Sequence, residues 1–133
     1  MATSRVTYLG GLRTSSMHLQ SGSTILSDAP TDNNGKGEAF SPTDMVANSL
    51  ATCMLTVMGI KAREMGVEME GSKAEVTKIM QASPRKIARI EVVFDMHSSA
   101  DEKAMIILER TALTCPVYLS LHPDIEKDII FKW

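Results

Sequence analysis

The two cysteines, Cys53 and Cys115, are the side chains of this 133-residue sequence best suited to covalent chemistry. A thiolate is a nucleophile and a metal ligand, and two thiols that approach each other can form a disulfide. Cys53 stands among apolar residues, whereas Cys115 directly precedes Pro116. Their different surroundings decide between redox chemistry, metal binding and simple packing.

Cys53 belongs to an apolar segment that we predict to be a long helix, running from Ser41 to about Met65. Ser41 can cap its start, Pro42 suits the first helical position, and Asp44 can return a bond to the cap backbone. Cys53 is about three turns further on, where the helix dipole gives little help, and apolar surroundings disfavour a thiolate. An inert core cysteine is therefore the competing interpretation.

Cys115 is expected to lie beside a second helix start. Pro116 suits the first position of a helix, which brings the Cys115 thiol close to unpaired backbone N–H groups. That setting favours a thiolate. A capping or packing role for Cys115 remains the alternative, and the sequence separation of the two cysteines says nothing about their contact.

Other chemistries have little support. His18, His97 and His122 are each solitary, without the short spacing that places two zinc ligands on one element. No phosphate-binding glycine motif is present. The 14 Lys and Arg residues against 16 Asp and Glu residues give a net charge of -2 and no basic stripe, which argues against a nucleic-acid partner.

The location is expected to be the cytoplasm. The first residues lack the pattern of a signal peptide. The apolar stretch from Met45 to Ile60 is short for a bilayer span and is interrupted by polar residues, so we predict a buried helix and no membrane partner. In a reducing compartment both cysteines should rest as thiols.

The order of elements predicts an α+β fold in one domain, residues 1–133. Strand-like segments between residues 5 and 27 form a meander, and a long polar loop covers residues 28–40 before the central helix. Two strands, two helices and a last strand then follow, over residues 67–79, 86–97, 98–114, 117–121 and 125–133. Because the central helix is apolar on nearly every face, we expect it to be covered all round, partly by a second subunit.

This order, with Ser41-Pro42-Thr43-Asp44, Ser49-Leu50-Ala51-Thr52-Cys53 and Cys115-Pro116-Val117, resembles the OsmC/Ohr family over nearly the whole chain. The resemblance is nearer to its less characterised branches than to the organic hydroperoxide resistance proteins. It implies a two-layer fold in an intertwined homodimer whose central helices pack together.

The resemblance also implies a peroxiredoxin-type peroxidase that reduces organic hydroperoxides in oxidative stress defence. Cys53 would be the peroxidatic cysteine and Cys115 the resolving cysteine. A dithiol reductant would restore both thiols, and no cofactor would be needed.

Active relatives carry an arginine in the first hairpin and an acid ten residues before the helix cysteine. Arg13 is the nearest match for the arginine, with a solvated hairpin arginine as the competing interpretation, and Thr43 occupies the position of the acid. The resemblance therefore leaves two carboxylates as possible supporting acids, Glu38 in the loop and Asp44 in the first helical turn. For Asp44 the capping role is the competing interpretation.

Two other functions compete with the peroxidase. The first is a non-catalytic dimer that binds a small apolar or thiol-reactive ligand at its interface, with Cys53 retained for packing. The second is an acyl-transfer or hydrolytic enzyme with Cys53 as the nucleophile, for which no histidine is placed as a base.

Overall fold

A computed structural model describes all 133 residues of the chain. The strands are β1 (Ser4–Gly10), β2 (Arg13–His18), β3 (Thr24–Asp28), β4 (Lys73–Gln81), β5 (Lys86–Asp95) and β6 (Glu126–Lys132). The helices are α1 (Pro42–Met65), α2 (Glu102–Ala112) and α3 (Pro116–Ser120), with a short 3-10 turn at Thr31–Asn33. The predicted α+β class and the order β-β-β-α-β-β-α-α-β are confirmed.

Residues Met1–Met45 form one compact unit around an antiparallel sheet in the order β1-β2-β3. This is the predicted meander. The unit buries no apolar side chain of its own, because its buried residues are Ser27, Asp28 and Ser41. Large apolar side chains remain exposed on its strands, among them Tyr8 and Ile25.

Residues Val46–Trp133 form a second compact unit around a sheet in the order β4-β5-β6. Strands β4 and β5 are an antiparallel hairpin, whereas β5 and β6 are parallel because α2 and α3 cross over between them. The apolar core of the chain lies in this unit, and Leu50, Met54, Ile90, Phe94 and Leu108 are among its fully buried members.

Two element starts differ from the predictions. Strand β4 begins at Lys73 rather than near Val67, because the chain turns at Gly71, whose φ of 89° is left-handed. Helix α2 begins at Glu102 rather than near residue 98, because the Asp101 carboxylate accepts the Ala104 N–H at 2.8 Å and caps the helix there.

Helix α1 is long and apolar enough to cross a membrane by length and composition, a criterion that a core helix of a soluble protein also meets. One face of α1 belongs to the core through Leu50, Met54 and Met58. Another side is exposed, with Val46 and Ile60 in solvent. The prediction that residues 1–133 form a single domain, and that a second subunit covers α1, stays a prediction.

Candidate active site

The start of α1 fixes where Cys53 lies along the helix. The Ser41 hydroxyl accepts the Asp44 N–H at 3.0 Å, and the Asp44 carboxylate accepts the Ser41 N–H at 2.9 Å. This is the predicted capping box. Asp44 Oδ2 thus caps the start of α1.

Cys53 lies at the border between the buried and the exposed faces of α1. Its neighbours Ala51 and Met54 are buried, whereas Thr52 is exposed and Cys53 itself is partly buried. It packs against the core cluster that contains Cys115. A reagent from solvent can therefore reach the Cys53 thiol more easily than a fully buried thiol.

Cys115 caps α3 and is fully buried. Its Sγ accepts the Tyr118 N–H at 3.2 Å, so the helix start does reach the sulfur, as predicted. Burial nevertheless raises the pKa of the Cys115 thiol above its usual value, and this effect outweighs the backbone N–H groups that lower it. The expectation that this position favours a thiolate is therefore wrong.

The two cysteines interact as free thiols. The proximity of Cys53 raises the pKa of the Cys115 thiol further. The pair consists of a partly exposed thiol, Cys53, and a buried thiol, Cys115, whose pKa is raised above its usual value. Such a pair can form a disulfide after the exposed sulfur has been oxidised.

Arg13 is positioned by the β1–β2 hairpin. Gly10, Gly11 and Leu12 all have left-handed backbones, with φ of 81°, 60° and 63°, which suits glycine and is unusual for leucine. The Leu12 N–H bonds the Tyr8 hydroxyl at 3.3 Å and the Leu12 carbonyl accepts the Ala29 N–H at 3.1 Å. The turn therefore delivers Arg13 at a fixed place at the start of β2.

Asp28 and Glu38 both bind the Arg13 guanidinium. Arg13 Nε and Nη2 donate to the two oxygens of Asp28 at 2.7 and 2.9 Å, and Nη2 also donates to Glu38 at 3.2 Å. The hydrogen bonds from Arg13 hold the pKa of Asp28 below its usual value, and the same bonds raise the pKa of Arg13.

The structure therefore gives each candidate acid a definite contact. Glu38 contacts Arg13, Asp44 caps α1, and the Thr43 hydroxyl lies 3.3 Å from the Ser41 hydroxyl. Sequence reasoning missed Asp28, the acid that binds Arg13 most closely. Its signal was available, because a hairpin of β2 and β3 with its turn at Ser21-Gly22 pairs residue 13 with residue 28.

The histidines bond to groups near their own loops: His18 to Ser21, His97 to the Glu70 carbonyl, and His122 to the Asp124 N–H. None of these bonds involves a cysteine. No group of three His, Cys, Asp or Glu side chains is placed to hold a metal ion.

The fold thus has two sheets and two free cysteines, of which Cys115 lies in the core and Cys53 packs against it. The family model described as OsmC-like protein matches residues 35–129. The chain thus belongs to the OsmC-like family.

Solved structures agree with this assignment. A protein from Psychrobacter arcticus 273-4, described provisionally as an osmotic stress induced and detoxification response protein, is 54% identical, with 99% of this chain and 96% of that chain covered and a TM-score of 0.95. No protein with a curated description matches the chain.

More distant structures share the fold. An organic hydroperoxide resistance protein from Legionella pneumophila is 16% identical, with 100% of this chain and 98% of that one covered and a TM-score of 0.72. The organic hydroperoxide resistance protein OhrB of Bacillus subtilis is 18% identical, with 98% of each chain covered and a TM-score of 0.67. At these identities the likeness concerns the fold.

Proposed function

We propose that the protein is a thiol-dependent peroxidase of organic hydroperoxides, in which Cys53 attacks the peroxide and Cys115 resolves the product. The observation that carries this proposal is the asymmetry of the two interacting thiols. Cys53 is partly exposed, whereas Cys115 is fully buried and its pKa is raised. Membership of a family that includes hydroperoxide resistance proteins supports the same reading.

The reaction begins at the Cys53 thiolate, which attacks the terminal oxygen of the hydroperoxide. The O–O bond breaks, the alkoxide takes a proton and leaves as an alcohol, and Cys53 becomes a sulfenic acid. The Cys115 sulfur then attacks the Cys53 sulfur, and water leaves as the disulfide forms. A dithiol supplies two electrons and two protons to restore both thiols.

Arg13 is proposed to supply the positive charge that this reaction needs. A thiolate in apolar surroundings and a developing alkoxide are both stabilised by a fixed cation. The guanidinium of Arg13 is held by two acids and the side chain is 32% exposed, so the group is both oriented and accessible. Apolar residues around Cys53 would favour alkyl hydroperoxides over hydrogen peroxide.

A homodimer is part of the proposal. A three-stranded sheet that buries no apolar side chain of its own needs a cover, and the exposed Val46 and Ile60 on α1 need one too. Thr52 and Thr56 lie on the exposed side of α1, and their hydroxyls donate to carbonyls of the same helix, so packing would leave neither unsatisfied. Analytical ultracentrifugation should show a dimer, and a monomer at micromolar concentration would contradict this part.

We also propose that the protein acts inside the cell, where a reducing environment keeps both cysteines as thiols between turnovers. Fractionation of cells that express the protein tests this. Recovery outside the cytoplasm would contradict it.

The proposed function is tested by consumption of tert-butyl hydroperoxide with dithiothreitol as the reductant. The wild-type protein should turn over, Cys53→Ser should be inactive, and Cys115→Ser should react once and accumulate a sulfenic acid at Cys53. Full activity of Cys53→Ser would contradict the assignment. Absence of turnover in the wild type would favour the alternative, a dimer that binds an apolar or thiol-reactive ligand.

A further inference from the structure

The carboxylate of Asp28, at the end of β3, is buried and fully hydrogen-bonded within the first unit. Only 2% of the side chain is exposed. Oδ1 accepts from Arg13 Nε, while Oδ2 accepts from Arg13 Nη2 and from the Glu38 N–H at 3.1 Å. The Asp28 N–H in turn donates to the Phe40 carbonyl at 3.1 Å. Three donors therefore fix both oxygens of a buried carboxylate.

Arg13 and Asp28 are also opposite each other in the register of β2 and β3. The two parallel bonds between guanidinium and carboxylate restrict rotation as well as distance, as a single bond cannot. Glu38 adds one bond of 3.2 Å, and its side chain is 63% exposed. Exposed ion pairs of this kind contribute little. The orientation of Arg13 is thus set by Asp28.

The bonds to the two acids leave one edge of the guanidinium open. A guanidinium has five N–H groups. Asp28 and Glu38 use the Nε–H and the two N–H groups of Nη2, so the two N–H groups of Nη1 have no protein partner. A fixed cation with an open pair of donors is suited to bind an anion.

We propose that Asp28 is the positioning residue for Arg13 in the peroxidase reaction. The chain has Thr43 rather than an acid in the first turn of α1, and Asp28 supplies the carboxylate that orients the guanidinium. Its carboxylate holds the guanidinium so that Nη1 stays free to bind an anion of the reaction. This inference rests on the proposed function. It assigns no direct contact between Asp28 and the substrate.

The test compares Asp28→Asn with Asp128→Asn. Asp128 accepts from Arg89 Nη2 at 2.6 Å on the second sheet, so it is an arginine-bound aspartate outside the proposed site, and its side chain is 39% exposed. Two quantities are measured: kcat/KM for tert-butyl hydroperoxide, and the pH dependence of Cys53 alkylation by iodoacetamide in a Cys115→Ala background. The alkylation profile responds to a nearby positive charge, whereas a merely structural role of Asp28 would leave it unmoved.

For Asp28→Asn we expect kcat/KM to fall by about 10-fold or more and the alkylation profile to move to higher pH, because a mobile guanidinium stabilises the thiolate less. For Asp128→Asn we expect changes below about two-fold. If the wild type is active and Asp28→Asn behaves like Asp128→Asn in both measurements, the positioning role is overturned. If the wild type itself does not turn over, the proposed function fails, which is a different result.

A double variant covers the case in which Asp28→Asn does not fold. In Arg13→Met the side chain that Asp28 positions is already gone, so adding Asp28→Asn should change kcat/KM by less than about two-fold. The double variant also removes both partners of the ion pair, so no buried charge is left unpaired. A further loss of about 10-fold in the double variant would show that Asp28 acts independently of Arg13 and would overturn the proposal.

Discussion

Two arginines, one on each sheet, differ in how their acids hold them. Arg13 on β2 and Arg89 on β5 have the same exposed side-chain fraction, 32%. Arg13 contacts Asp28 and Glu38, and Arg89 contacts Glu91, Glu126 and Asp128. By exposure and by the charge of their neighbours the two centres look alike.

The difference lies in the acids and in the donors left over. Asp28 is 2% exposed and binds Arg13 through both oxygens, whereas the acids around Arg89 are 36%, 66% and 39% exposed. The acids use Nε and Nη2 of Arg13, whereas each nitrogen of Arg89 has an acid within 3.2 Å, although the buried Arg89 Nε makes no hydrogen bond. A buried acid that binds through both oxygens indicates a positioned cation, whereas three partly exposed acids around one arginine indicate an ion-pair network at the surface.

The largest expected difference between the two centres is in catalysis. Arg13→Met should lower kcat/KM for tert-butyl hydroperoxide by about 100-fold, because a fixed charge that stabilises reacting anions is lost. Arg89→Met should change it by less than about two-fold. Steady-state kinetics with dithiothreitol measures both, and equal losses would remove the distinction between the centres.

The next difference concerns stability. Asp28→Asn should lower the midpoint of thermal unfolding by several degrees, because it replaces a buried carboxylate that has three donors. Asp128→Asn should lower it much less, since its carboxylate is in contact with solvent. Calorimetry at neutral pH compares the two, and a larger effect at Asp128 would contradict this reading of the burial.

The contribution of Asp28 should also depend on pH. Arg13 lowers the pKa of Asp28 in the folded state, so the carboxylate stabilises the fold fully above its unfolded pKa of about 3.9. That contribution is lost as the pH falls through the lower folded pKa. The difference in unfolding midpoint between wild type and Asp28→Asn should therefore shrink below about pH 4. If the difference in unfolding midpoint grew as the pH fell below about 4, the pKa of Asp28 would be raised on folding rather than lowered, which would contradict this prediction.

The smallest effects are expected at the exposed acids of each centre. Glu38 and Glu126 each lie 3.2 Å from their arginine and are 63% and 66% exposed. Glu38→Gln and Glu126→Gln should each shift the unfolding midpoint by about one degree or less. If Glu38→Gln alone lowered the unfolding midpoint by several degrees, Glu38 rather than Asp28 would be the acid that orients Arg13.

The sequence was sufficient for the elements because their signals are local. Ser41, Pro42 and Asp44 define the start of α1 within four residues, and Pro116 marks α3. The family resemblance added the pairing of Cys53 with Cys115. The prediction that a strand begins at residue 67 was wrong because residues 67–72 contain a turn that precedes β4.

The rest depends on contacts between distant segments. Cys115 was expected to favour a thiolate from its helix start, but burial in the core raises its pKa, and the sequence around Cys115 does not contain that core. Asp28 is the first residue of the polar loop predicted over residues 28–40, and the β2–β3 register shows that it lies opposite Arg13. Packing in the core decided the first case, and the register of a strand pair decided the second.

The central claim is that Cys53 and Cys115 form a working redox pair. Mass spectrometry of the protein after one equivalent of tert-butyl hydroperoxide tests it most directly. We predict the loss of two hydrogens and a peptide in which Cys53 is joined to Cys115, and in Cys115→Ser the gain of one oxygen on Cys53. Two unmodified thiols beside unconsumed peroxide would contradict the account.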